Sequence, residues 1–173
     1  MNRWCFGFFV VSGFCSVLYE VVWLRSAMAQ FGVTTGLVSL VLSVCMIGIG
    51  VGSWGAGLLV RKYGDGITFP PLRPYAMAEL LIGISAVTVP YELLWGRELL
   101  LRMTANAPLT YYLFSGAWIP LALIPWCVCM GATFPLVMFA IKKLNAPDSQ
   151  HSFSYLYLAS VLGAVLGLAS LCC

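Results

Sequence analysis

The sequence predicts an all-α protein: a polytopic transmembrane helix bundle of about five spans, the fourth long and proline-kinked. Three observations lead there. Only 15 of the 173 residues are charged, nine basic and six acidic. Hydrophobic residues make up 61% of the chain, and the mean hydropathy is +0.95. Most of the charges stand at the edges of five long apolar runs. A water-soluble chain of this size spreads charge over its whole surface. In lipid every backbone N–H and C=O must be paired inside the protein, so a long apolar run must be a helix. The length suits a single integral membrane domain, 1–173, because the longest polar stretches are too short to fold alone.

The runs are 4–30, 36–60, 75–95, 109–141 and 153–173. Each can cross a ~30 Å hydrocarbon core at ~1.5 Å per residue. The first begins after Arg3 with an apolar stretch that could pass for a signal peptide. No A-x-A cleavage pattern follows, and the apolar character runs on, so it reads as a retained span. A lipidation site at Cys15 is excluded by the bulky Phe14 before it. Glu20 lies about two-thirds of the way along this span. An ionised carboxylate at that depth costs several kcal/mol unless paired or hydrated, which makes it a functional candidate. The nearest opposite charge, Arg25, is ~140° around the helix, so the two do not meet as i,i+4 partners do. Glu20 is expected to face protein or trapped water while Arg25 snorkels to the outer interface.

Span two carries the most distinctive pattern, GIGVGSWGAG at 48–57. Gly50, Gly52 and Gly55 satisfy the dinucleotide-binding spacing G-x-G-x-x-G, but that motif needs a preceding strand in a soluble βαβ unit. Inside a membrane helix, Gly48, Gly52 and Ala56 form instead a small-residue face spaced by four, extended by Ser53 and Gly57. Such a face lets a second helix come close enough for dense van der Waals packing. Gly163 and Gly167 make a shorter ridge of the same kind in span five. In span three, Glu79 lies one turn in, near Tyr75, where it either reaches the headgroups or serves a binding role.

Span four is too long for a straight crossing, since 33 helical residues reach ~50 Å. It contains Pro120, Pro125 and Pro135. Each removes a backbone hydrogen bond and pushes the helix to bend, so a strongly kinked or broken span is expected. Either it is a discontinuous helix beside a solute path, or a tilted, kinked packing helix.

Turn residues and charges fill the connections 32–36, 61–74, 96–108 and 142–152. With the N-terminus cytoplasmic, Arg3, Arg61, Lys62, Arg73, Lys142 and Lys143 share one side, and Arg97, Arg102 and Arg25 the other. Six against three favours N-terminus inside and C-terminus outside. Trp4, Trp54, Tyr63, Tyr75, Trp95, Tyr111, Tyr112 and Tyr155 mostly lie near span ends, as an interfacial aromatic belt does.

The seven cysteines lie in or at the ends of apolar runs, where Cys serves as a small hydrophobe. No pair of CxxC motifs occurs, so a zinc site is not expected. His151 is the only histidine, which rules out a bis-histidine haem held by this chain alone. No Ser/His arrangement resembles a hydrolase, and the dispersed basic residues lack a nucleic-acid footprint. The residues thus predict no metal, no cofactor, no catalysis and no nucleic-acid partner. The last residues, LASLCC, form an apolar end without a polar cap, as a fragment or a partner-covered helix would.

Six strings occur in order along most of the chain: SGFCSVLYEVVWLR (12–25), FGVTTG (31–36), IGIGVGSWGAGLLVRKYGD (47–65), YAMAELLIGISA (75–86), MGATFPLV (130–137) and SYLYLASVLGAVLG (154–167). Together they resemble the membrane part of bacterial spermidine-synthase-like membrane proteins. The Y-E-V-V-W-x-R and G-A-T-F-P strings are the more specific. The resemblance implies the membrane fold, with Glu20, Arg25 and Glu79 as its characteristic charged positions, in a bacterial cytoplasmic membrane. Longer members continue into further helices and an aminopropyltransferase-like domain. This sequence contains neither, so the aminopropyl chemistry does not carry over.

Three functions compete. One is a non-catalytic membrane module that packs with other membrane chains, a second copy or a second half. Another is a transporter-like module for a small polar or cationic, amine-like solute passing Glu20. The third is the membrane domain of an enzyme whose catalytic part lies elsewhere. A solvated cavity at Glu20 speaks for transport; a dry, paired Glu20 speaks for the packing module.

Overall fold

The structure, a computed structural model, describes the backbone of residues 3–63, 72–103, 108–144 and 149–172. Side-chain surroundings are described for 7–8, 10–62, 72–102, 113–143 and 157–170. Five α-helices account for nearly all of it: α1 Arg3–Phe31, α2 Thr35–Tyr63, α3 Leu72–Met103, α4 Pro108–Leu144 and α5 Ser149–Cys172. Among the described residues there is no strand. Four helices are long and apolar enough to cross a membrane, over Val10–Phe31, Thr35–Lys62, Leu72–Arg102 and Leu113–Lys143. In α5 the described apolar stretch, Tyr157–Ser170, is shorter. Large apolar side chains such as Phe8, Met46, Trp54, Leu80 and Leu121 point outward. That is unfavourable in water and natural against lipid tails. The chain is a helical membrane protein.

Local chemistry sets the helix ends. Gly32 takes φ 96°, the left-handed region that other residues avoid, and its N–H donates to Met28 O at 3.0 Å. That arrangement closes the C-terminus of α1. Two residues later Thr34 Oγ1 accepts from Leu37 N at 3.2 Å and caps α2. Pro74 and Pro108 stand in the first turns of α3 and α4, where a missing N–H costs nothing.

Two expectations are corrected here. Residues 96–103, read as a connection, continue α3, because Gly96 sits under a tryptophan ring rather than in a turn. Nor is the fourth span broken. α4 runs unbroken for 37 residues with Pro120, Pro125 and Pro135 inside it. Pro90, inside α3, is accommodated in the same way.

The helices form two compact units, Met1–Val22 with Met138–Cys173, and Trp23–Val137. In the larger unit Trp23, Val41, Val89, Leu93, Ile119, Leu123 and Cys127 make a buried core. There α2 and α4 run parallel, with Gly48 against Cys127 and Ser53 against Gly131. Meanwhile α3 and α4 meet where Glu92, Trp95 and Gly96 touch Trp118. In the smaller unit α1 and α5 run parallel, with Val10 and Phe14 against Gly163 and Phe14 again against Gly167.

Candidate functional site

The intramembrane charges come first. Glu20 lies on α1, half-buried within an apolar span. Among the described residues it makes no hydrogen bond or ion pair, so the interhelical partner expected from the sequence is not seen there. Arg25, five residues on, is exposed. Glu79 on α3 is half-buried and, like Arg73 and Tyr75 nearby, takes part in an interaction. The three charged positions are therefore not equivalent: Glu79 is engaged, and Glu20 is a carboxylate with capacity to spare.

The small residues of α2 build a seam. Gly48, Gly52 and Ala56 are all buried. A Cβ at Gly52 would run into the Val128 carbonyl, and one at Gly48 would strike the Cys127 side chain. From the other side, a Cβ at Gly131 would collide with the Ile49 carbonyl. The two backbones thus touch through three missing side chains, the close approach that small-residue ridges permit. Gly57, expected to extend the ridge, faces open space, as does Gly50.

At this seam Pro135 leaves a carbonyl of α4 without its helical donor. Proline has no N–H to give to the carbonyl four residues back, which here is Gly131 O. Ser53 Oγ on α2 donates to that same oxygen at 2.9 Å. A hydroxyl on one helix thereby satisfies the carbonyl orphaned on another, which lipid could not do. Beside it, Cys127 Sγ lies 3.5 Å from Cys45 Sγ, both buried.

A second seam was not foreseen. The Trp118 indole N–H donates to Glu92 O at 3.2 Å, its ring lies over Gly96, and it meets Trp95 edge-on at 5.9 Å. Only glycine at 96 leaves room for that ring. In the smaller unit, Gly163 and Gly167 pack on α1, and Gly13 answers them against the Ser160 carbonyl. Gly13 gave no sequence signal because it stands alone, without a small residue four positions away.

Trp126 adds another unmet need. Its indole Nε1 is buried and finds no acceptor among the described residues. Several positions singled out in the sequence lie outside the described side chains: Arg3, Trp4, Tyr63, Asp65, Asn106, Tyr111, Tyr112, His151, Tyr155, Cys172 and Cys173. No protein-family model, curated protein or solved structure matches this chain.

Proposed function

We propose that this chain is a non-catalytic integral membrane module whose polar intramembrane groups are completed by another membrane chain, a second copy or a second half. The observation that carries it is Glu20, half-buried in an apolar span and without a hydrogen bond or ion pair among the described residues. A carboxylate at that depth is unfavourable by several kcal/mol until a donor or cation reaches it. The indole N–H of Trp126, without an acceptor among the described residues, supports the same reading. The glycine ridges do not recruit the partner, since they are already used inside the chain.

A second reading rests on the same carboxylate. Glu20 is chemically suited to a small cation, which makes a transporter-like module for an amine-like solute the alternative. A third, the membrane domain of a spermidine-synthase-like enzyme, rests on the resemblance alone. With it belongs the proposed bacterial cytoplasmic membrane; the proposed orientation, N-terminus inside and C-terminus outside, rests instead on the six-to-three distribution of basic residues.

The test compares wild type, Glu20→Gln and Glu20→Leu after purification in mild detergent, reading what co-elutes. The amide can still hydrogen-bond, so Gln retains the partner and Leu loses it if Glu20 completes an assembly. A cation site loses its function with Gln as well. Both variants behaving as wild type would refute any role for Glu20.

A further inference from the structure

We propose that Cys45 and Cys127 form an oxidisable dithiol inside the membrane, closed to a disulfide between α2 and α4 by a lipid-soluble oxidant of the quinone class. Both residues are thiols, with the sulfurs 3.5 Å apart. A disulfide needs ~2.05 Å between sulfurs. Closing the bond asks the two sulfurs to approach by about 1.5 Å. The helices themselves cannot drift apart easily. Cys45 stands one turn before Gly48, whose missing side chain makes room for Cys127, and Cys127 stands one turn before Gly131, where backbone meets backbone. The Ser53 hydroxyl on Gly131 O pins the same crossing.

The pair is also selective. Cys45 is 4% exposed and Cys127 0%, whereas Cys15 and Cys129 are half-buried and have no sulfur contact among the described residues. Buried in apolar surroundings, both sulfurs are out of reach of aqueous thiols and disulfides, so exchange with them is slow. Cellular reductants that keep aqueous cysteines reduced therefore have little access to this bond once made. A quinone reaches it through the lipid and balances the step. The two S–H bonds break and the S–S bond forms. Two electrons and two protons pass to the quinone oxygens, giving the quinol, and no charge is left in the low-dielectric interior.

The full chain is reconstituted in phosphatidylcholine vesicles and treated with decylubiquinone or, separately, with tetrathionate, an anionic water-soluble oxidant. Denaturation and alkylation with a maleimide of high mass then count the thiols. Wild type is expected to lose two of its seven reactive thiols with the quinone and to keep them with tetrathionate. Cys129→Ala should lose two as well, and Cys45→Ala or Cys127→Ala none. Mass spectrometry of oxidised wild type should join the peptides of Cys45 and Cys127, a reading that needs no variant. No loss in wild type with quinone, a loss that survives Cys45→Ala, a different peptide pair, or equal loss with tetrathionate would each overturn the proposal.

Discussion

Ser53→Ala should destabilise the α2–α4 seam, and Pro135→Ala should remove the reason. In the native chain Pro135 leaves Gly131 O without its helical donor, and Ser53 Oγ supplies one at 2.9 Å. Interhelical hydrogen bonds in membranes average ~0.6 kcal/mol and reach ~1.7. Leaving a buried carbonyl with no donor raises the cost to ~1–3 kcal/mol. The bond is only part-buried, so ~1–2 kcal/mol is the expected loss for Ser53→Ala. With Ala at 135, the new N–H can reach Gly131 O within α4. The same Ser53→Ala change should then cost under ~0.5 kcal/mol, giving a coupling of ~1 kcal/mol. The assay is reversible unfolding in mixed micelles by added SDS, followed by tryptophan fluorescence, on the two single variants and the double variant. Equal costs of Ser53→Ala in both backgrounds would show that the hydroxyl does not serve the carbonyl that proline leaves open.

Two further outcomes follow from the same geometry and from the charge pattern. Gly52→Ala and Gly131→Ala should each destabilise by ~1–3 kcal/mol, because the added methyl meets a backbone carbonyl that cannot rotate away. Gly50→Ala, facing open space on the same helix, should be neutral or gain up to ~1 kcal/mol of helix propensity; the same unfolding assay separates them. For topology, an impermeant maleimide applied from outside should label a cysteine placed at Asn106 and miss one at Asp65. The opposite pattern would reverse the orientation.

The sequence by itself determined the helices, because a bilayer permits an apolar run few other structures. Charge segregation located five helices, and the missing polar partners in lipid made them inevitable. Turn residues marked the first connection, 32–36, where Gly32 closes α1 and Thr34 caps α2. Spacing by four likewise exposed Gly48, Gly52, Ala56, Gly163 and Gly167, since periodicity alone places residues on one face of a helix. Where sequence reasoning failed, it took a residue type for its usual role: Gly96 and the residues after it read as a connection and proved helical. The prolines of α4 read as possible breaks and did not interrupt the helix.

Only the tertiary structure decided which helix answers which ridge. The α2 glycines meet α4, and the α5 glycines meet α1. It also brought together residues about 80 positions apart: Ser53 with the carbonyl that Pro135 leaves open, and Cys45 with Cys127. A helix's own sequence states which of its groups need a partner. It does not say where the partner comes from, because that depends on the register and approach of a second helix. For Glu20 the need is legible in the sequence, and the described residues of this chain do not meet it.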